Sequence, residues 1–212
     1  MMKKSTLSAV IAATLLSAAP AMAHQAGDIL VRAGVATVAP NESSPVVAGV
    51  AEFGVSNNTQ LGLNFGYMLT DNWAVELLAA TPFSHDVSLG ALGKIAETKH
   101  LPPTLMAQYY FGNAKSNVRP YVGFGINYTN FYDTNFTNDL DGALTDLSLS
   151  TSLGWAAHAG LDYQLNDKWM LNASVWYAKI DTDVKFKLAG EAVKVNTDID
   201  PWVYMVSVGY SF

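Results

Sequence analysis

The sequence predicts an all-β protein: an eight-stranded antiparallel transmembrane β-barrel with short periplasmic turns and long extracellular loops. Half of the 212 residues are apolar and only 14% are charged, whereas about a quarter are charged in typical soluble domains. After position 23 no run of about 18 apolar residues occurs, so the sequence contains no candidate transmembrane helix there. Apolar and polar residues instead alternate along eight segments, which is the pattern of strands whose two faces meet different surroundings.

The first 23 residues have the features of a secretory signal peptide. Two lysines precede an apolar stretch, and "AMA" at positions 21–23 forms an A-x-A cleavage site. We therefore expect residues 1–23 to be cleaved, leaving residues 24–212 as one barrel domain. Cleavage removes two lysines and no acid, which leaves 10 basic and 18 acidic residues and a net charge of −8. So acidic a chain is not expected to bind nucleic acid, and the lack of cysteine excludes disulfides and thiolate metal sites.

Each of the eight segments presents one face of large apolar residues and one face of small or polar residues. In "SLGWAAHAGLDYQ", Leu153 and Trp155 share the first kind of face. His158 and Asp162 lie on the opposite face of the same segment. The predicted strands cover residues 29–38, 60–69, 73–83, 103–111, 120–132, 147–164, 169–183 and 198–212.

Alternation of this kind also fits a soluble β-sandwich, in which the apolar face packs into a core. Two features favour a membrane barrel instead. The polar faces are rich in Gly, Ser, Ala and Asn and poor in Lys and Glu, as the cramped lumen of a narrow barrel requires. The connections alternate between short ones, such as 165–168, and long ones, such as 84–102 and 184–197. This sorting is typical of barrels in the outer membrane of Gram-negative bacteria, so we expect outer-membrane lipid around the protein.

The chain ends on the alternating strand "VSVGYSF", whose apolar face must be covered. In hydrocarbon every backbone polar group must pair internally, so the last segment is expected to close the barrel against the first. Tyr210 and Phe212 would then face lipid in a periplasmic aromatic girdle. Other residues expected in the two girdles are Trp73, Tyr109, Phe111, Tyr163 and Trp169 at the periplasmic end, and Tyr132, Tyr177 and Trp202 at the extracellular end.

Several stretches of the mature chain are distinctive. They are "NNTQLGL" (57–63), "VELLAATPF" (75–83), "HLPPTLMAQ" (100–108), "RPYVG" and "GINYT" (within 119–129), "SVWY" (174–177) and "DPWV" (200–203). These stretches closely resemble the OmpW family of outer-membrane proteins. The resemblance runs from about residue 26 to residue 212 and implies an eight-stranded barrel linked to the passage of small hydrophobic compounds. The terminal pair Tyr210 and Phe212 also resembles the assembly signal of outer-membrane barrels, which implies the assembly machinery as a partner.

The lumen of an eight-stranded barrel has room only for its own side chains or one slender ligand. The inward polar residues expected toward the periplasmic half are Arg32, Glu76, His158 and Asp162. The inward apolar residues expected near or above mid-depth are Leu78 and Trp176, as a channel constriction, and Met68, Met106, Val203 and Met205, as an apolar lining. The alternative is that the apolar side chains plug the lumen and that Arg32 and Glu76 form a purely structural ion pair.

Three prolines are placed where two neighbouring segments meet. Pro82 lies near the end of the third segment, and Pro102 and Pro103 open the fourth. Proline has no N–H to donate to a strand ladder. Prolines at the same level of both strands should therefore leave the third and fourth strands without hydrogen bonds there. We therefore predict a lateral exit here, from the lumen into the bilayer. The alternative is that the prolines only end the strands above the hydrocarbon layer.

The sequence shows no arrangement of catalytic residues. His85 lies beside Asp86 in an expected loop, and no serine nucleophile is tied to it. No metal cluster, phosphate-binding loop or dinucleotide motif is found, so no cofactor is expected. We predict a non-enzymatic barrel that binds or conducts small hydrophobic solutes, of undetermined oligomeric state. The alternative is a plugged structural barrel that acts through its extracellular loops.

Overall fold

The computed structural model describes residues 24–212, so the expected signal peptide lies outside the described residues. The described chain consists of β-strands and a short 3-10 helix, Gly90–Leu92. The strands are β1 Ile29–Ala39, β2 Phe53–Val55, β3 Asn58–Met68, β4 Trp73–Ala80, β5 Phe83–Leu89, β6 Lys94–Leu101, β7 Thr104–Tyr110, β8 Val118–Phe136, β9 Leu144–Leu149, β10 Ser152–Gln164, β11 Trp169–Ala178, β12 Asp181–Leu188, β13 Glu191–Asp198 and β14 Trp202–Ser211. Within residues 24–212, no helix has the length and hydropathy needed to cross a membrane.

Eight of these strands form a closed antiparallel barrel. Their order around the ring is β1, β3, β4, β7, β8, β10, β11 and β14. β14 closes the ring against β1, with pairs from Leu30↔Ser211 to Ala39↔Trp202. The predicted eight-stranded barrel and its closure by the last strand are therefore confirmed. Closure gives each barrel strand a partner on both sides, as hydrocarbon requires because backbone groups there have no water to bind.

The alternating sequence separates the two faces of the barrel wall. On the outside, large apolar side chains are exposed, for example Leu153 at 72% and Val206 at 68%. On the inside, glycines make room for large side chains. A Cβ at Gly160 would overlap the ring of Tyr121, and a Cβ at Gly123 would overlap His158. The outer face is thus suited to lipid, and the narrow lumen holds large side chains because their neighbours are small.

Above the barrel, much of the long connections forms β-strands rather than loops. Two of the connections expected as loops contain the hairpins β5–β6 and β12–β13. One sheet consists of β2, β5, β6 and the upper part of β8, and a second consists of β9, β12 and β13. Their apolar faces pack together, with the rings of Phe136 and Phe186 at 6.1 Å. The prediction of loops was wrong for these segments. They form strands because the apolar face of each sheet packs against the other sheet, whose strands are distant in the sequence.

This extension also changes strand boundaries that the sequence predicts. The segment 73–83 ends at Ala80 in the barrel, and Phe83 begins the extracellular strand β5. The segment 147–164 is divided into β9 and β10, and 169–183 into β11 and β12. The chain therefore leaves the barrel at each of these breaks and continues in the sheets above it.

Aromatic side chains mark both ends of the outer face. At the periplasmic end the Trp169 and Tyr210 rings lie 4.9 Å apart, and the Tyr210 and Phe212 rings 4.7 Å apart. Phe212 is exposed on the outer face and donates its backbone N–H to Ile29. Tyr132 was expected in the extracellular girdle, but it pairs with Lys99 in the extension, beyond the barrel.

Candidate functional site

The periplasmic half of the lumen is filled by a buried polar layer centred on Arg32. The guanidinium of Arg32, on β1, lies 2.8 Å from Glu76 Oε2 on β4 and 2.6 Å from Asp162 Oδ2 on β10. All three side chains are almost completely buried. A buried charge needs such a partner, since leaving it unpaired is costly. Each of these residues occupies an inward-facing position in its alternating strand. The predicted polar residues therefore meet across the lumen.

Further residues complete this layer, and one of them was not expected there. Asn172 donates to Asp162 Oδ1 at 2.7 Å and also to Tyr121. His24, which was expected as a free N-terminus, is fully buried, with Nε2 at 2.8 Å from Asp162 Oδ2. Arg119 donates to the His24 carbonyl at 2.9 Å. Parity turns Asn172 and Tyr121 inward, but no pattern in the sequence indicates that the chain folds back into the lumen at His24.

His158 joins the polar layer to the apolar section above it. Its Nδ1 lies 3.5 Å from Glu76 Oε1, which is beyond an ordinary hydrogen bond. Its ring packs edge-on against Trp176, with the centroids 4.0 Å apart. His158 thus contacts a carboxylate on one side and an indole on the other.

The apolar section contains most of the residues predicted to line the lumen. Leu78, Trp176, Met106 and Met205 are buried in one cluster, and Val203 packs against it. The open space at this level is small: a cavity of about 30 Å³ touches Leu78, Trp176 and Val203. This exceeds the roughly 10–15 Å³ that a cavity needs to hold one water molecule but is far below the roughly 150 Å³ cavity that accommodates benzene. The structure therefore brings the predicted constriction together but leaves little free space between its side chains.

Met68 does not belong to this section. It is buried in a separate cluster with Leu30, Tyr110 and Met170. Its carbonyl accepts the Gly27 N–H, at the start of the first barrel strand. β3 runs from the extracellular to the periplasmic end, so its last residue lies at the bottom of the lumen. The expectation that Met68 lines the lumen near or above mid-depth is wrong.

An apolar cavity of about 200 Å³ lies between the two extracellular sheets. Its wall includes Val87, Leu89, Phe136, Val184, Phe186 and Leu144. The cavity and the small space beneath it share Val38, His100, Ile180 and Pro201 as lining residues. The sequence did not predict this cavity, because its walls are the segments that were expected to be loops.

Two stacked histidines lie in the wall of this cavity. The rings of His85 and His100 are 5.0 Å apart and nearly parallel, and Phe83 stacks on His100 at 5.4 Å. Burial lowers the pKa of His85, and burial, together with the neighbouring His85, lowers the pKa of His100 to about 3. The expectation of an exposed loop at His85 is wrong. β5 continues the alternation of the barrel strand, so Phe83, His85 and Val87 share a face.

The barrel wall has a gap at the prolines. The ladder between β4 and β7 ends at Leu78↔Thr104, and the ladder between β5 and β6 begins at Phe83↔His100. Between these pairs, residues 79–82 do not pair with residues 101–103. This interval contains the three predicted prolines, Pro82, Pro102 and Pro103. Pro102 lines the small cavity.

The height of the gap follows from the neighbouring strand. The outward Tyr128, on β8, donates its N–H to the Pro103 carbonyl at 3.0 Å. Tyr128 is aromatic and exposed on the outer face, as in a membrane-interface girdle. The gap therefore lies near the extracellular interface, at the upper limit of the hydrocarbon.

Acidic side chains at the extracellular strand ends pair with lysines. Lys179 lies 2.9 Å from Asp198 and 2.8 Å from Asp200, and Lys194 lies 2.9 Å from Asp183. Within residues 24–212, no group of three or more His, Asp or Glu side chains is placed to hold a metal ion. These acids are thus arranged as partly solvated ion pairs.

Comparison with known proteins gives consistent matches over almost the whole chain. The sequence profile of the OmpW family matches residues 25–212. The chain is 53% identical to outer membrane protein W of Vibrio cholerae, over 99% of this chain and 100% of that protein. In structure it is similar to OprG from Pseudomonas aeruginosa, with a TM-score of 0.85, 42% identity and coverage of 90% of this chain and 98% of that one. A Pseudomonas aeruginosa protein named the dibenzothiophene metabolism operon protein PahQ is 27% identical, over 74% of this chain and 73% of that protein.

Proposed function

Because this chain belongs to the OmpW family of outer-membrane proteins, we propose that it passes small hydrophobic molecules from the cell exterior into the outer membrane. The protein is a non-enzymatic β-barrel of the Gram-negative outer membrane. In the proposed path, a solute enters the extracellular cavity, descends to the small space above Leu78 and Trp176, and leaves sideways through the gap at the prolines. The observation that carries the proposal is an apolar cavity directly above a lumen whose periplasmic half is filled by the polar layer around Arg32.

The lower half of the lumen favours a sideways route over an axial one. The Arg32, Glu76 and Asp162 side chains cross it in hydrogen-bonded contact. An apolar solute on the barrel axis would have to separate these charges and would leave them without partners. In this proposal Leu78 and Trp176 form the constriction that stops the solute above the polar layer, and Met106, Val203 and Met205 form the apolar lining beside it.

The path to the gap is lined mostly by small or apolar groups, and its polar residues are His100, Thr104 and Asn127. Ala79, Ala80 and Pro102 line the small cavity at the level where the ladder is open. A backbone gap in lipid is tolerated where it borders the interface or a cavity, and this gap borders both. The name of the PahQ relative refers to dibenzothiophene, a hydrophobic aromatic compound, which supports a hydrophobic solute for this chain as well.

The proline gap provides the test. The variant with Pro82, Pro102 and Pro103 replaced by Val or Thr should allow the ladder to close, and uptake of a hydrophobic fluorescent probe should fall. Pro120→Val is the matched control, because Pro120 lies in β8, far from the gap in the ladder. Unchanged uptake in a folded triple variant would rule out the side exit, and passage would then have to follow the barrel axis.

A second function is favoured by the nearly filled lumen: a structural barrel that acts through its extracellular sheets. The double variant Leu78→Ala/Trp176→Ala separates the two functions. If the residues form a constriction, the variant should change solute uptake. If they only fill the lumen, the variant should lose stability, by about 2–5 kcal/mol for each large-to-small change, with uptake unaltered.

A further inference from the structure

Two residues that line the extracellular cavity each carry a buried polar atom with no hydrogen-bond partner among the described residues. These atoms are Nε2 of His85, on β5, and Oγ1 of Thr197, on β13. Both residues line the cavity, which is otherwise almost entirely apolar. Unpaired buried polar groups are costly and uncommon in native proteins, so each one needs a physical explanation. A ligand group that completes the hydrogen bond is such an explanation.

The geometry at His85 determines which kind of group is missing. His85 Nδ1 lies 2.5 Å from the carbonyl oxygen of Ser56. A carbonyl oxygen can only accept, so Nδ1 carries the proton and Nε2 of the neutral ring is an acceptor. Burial lowers the pKa of His85 and keeps the ring neutral. The missing partner is therefore a hydrogen-bond donor.

We propose that the cavity selects hydrophobic molecules carrying one hydroxyl group, such as phenols and fatty alcohols, over hydrocarbons of the same shape. Nε2 is enclosed in the structure, so in the complex the His85 ring shifts slightly toward the cavity and accepts from the ligand hydroxyl, while the rest of the molecule lies against Val87 and Leu89. This inference rests on the proposed function, because it requires that the cavity takes up a solute. The volume of about 200 Å³ exceeds the roughly 150 Å³ that accommodates benzene in an engineered cavity, so a two-ring aromatic is a suitable probe.

The first experiment leaves the protein unchanged and varies the ligand. Naphthalene, 1-methoxynaphthalene and 1-naphthol have the same ring system, but only 1-naphthol has a donor. Their affinities for the folded protein in detergent are measured by ligand fluorescence, with empty micelles subtracted. One hydrogen bond to a buried acceptor should make 1-naphthol bind roughly five- to tenfold more tightly than either analogue. 1-Methoxynaphthalene has the oxygen atom but no O–H, so its affinity shows whether the preference requires a hydrogen-bond donor.

The second experiment removes the acceptor. His85→Phe keeps an aromatic ring against His100 but has no Nε2, so the three ligands should bind with affinities within about twofold of one another. Ser84→Ala is the matched control: Ser84 lies on the same strand but outside the cavity lining, so this variant should keep the preference for 1-naphthol. If His85→Phe keeps the wild-type preference, His85 is not the acceptor.

The outcomes separate this inference from the proposed function. Equal binding of all three ligands to the wild-type protein would overturn the hydroxyl preference and leave hydrophobic uptake standing. Binding of none of them would remove the proposed function as well. The ligand series on the unmodified protein decides the question even if the His85 variant does not fold.

Discussion

The buried ion pairs of Arg32 allow a quantitative prediction about barrel stability. Replacing Arg32 with methionine keeps much of the side-chain volume but removes the positive charge between Glu76 and Asp162. Both carboxylates then remain in the lumen without their guanidinium contacts at 2.8 and 2.6 Å. Removing one partner of a buried ion pair typically costs about 3–5 kcal/mol, because a charge is left uncompensated.

We therefore expect Arg32→Met to lower the free energy of unfolding by about 4 kcal/mol. With a urea dependence of about 2 kcal/mol per molar, the midpoint of unfolding should fall by about 2 M. The assay is a urea titration of the barrel in lipid vesicles, followed by tryptophan fluorescence. Met170→Leu is the control, since it changes a buried neighbour at nearly constant volume and should cost less than about 1.5 kcal/mol.

The triple variant Arg32→Met/Glu76→Gln/Asp162→Asn tests the reasoning more sharply. It removes all three charges, so it should recover much of the stability that the single change loses. The electrostatic explanation fails if Arg32→Met unfolds at the wild-type urea concentration. It also fails if the triple variant is as unstable as Arg32→Met, because packing rather than charge would then account for the loss.

Three further predictions follow from the closed barrel, its last residue and the buried histidines. The folded barrel should migrate differently from a boiled sample in a detergent gel, because a closed sheet unfolds slowly; equal migration together with strongly helical circular dichroism would contradict the fold. Deleting Phe212 should reduce the amount of folded protein in the outer membrane far more than deleting the side-chain hydroxyl of Ser211, since Phe212 faces lipid at the girdle and Ser211 faces the lumen; equal amounts would show that the terminal aromatic is no assembly signal. The folded pKa of His100 is about 3, below the ordinary value of about 6.5, so the extracellular sheets should be fully stable above pH 6.5 and should lose about 1.4 kcal/mol per pH unit as the pH falls toward 3. Hydrogen exchange of β5 and β6 measures this loss, which should vanish in His85→Phe/His100→Phe.

Much of the barrel could be predicted from the sequence because its causes are local. A side-chain period of two separates a lipid face from a lumen face without any knowledge of the partner strands. The requirement that all backbone groups pair in hydrocarbon then forces closure and joins the last segment to the first. The alternation along each strand is enough to place Arg32, Glu76 and Asp162 on the lumen face. Because the lumen is narrow, long side chains on this face contact one another.

The tertiary structure decided everything that depends on distant partners. The two extracellular sheets pack their apolar faces together in one cluster. A short alternating segment does not reveal which distant segment will cover its apolar face. His85 and His100 stack only because their hairpin pairs in that register. Met68, like Leu78, occupies an inward-facing position. The alternation shows which face a residue lies on but not how deep it lies in the lumen, which depends on the direction of its strand. The entry of His24 into the lumen likewise depends on Asp162 and Arg119, which strands distant in the sequence supply.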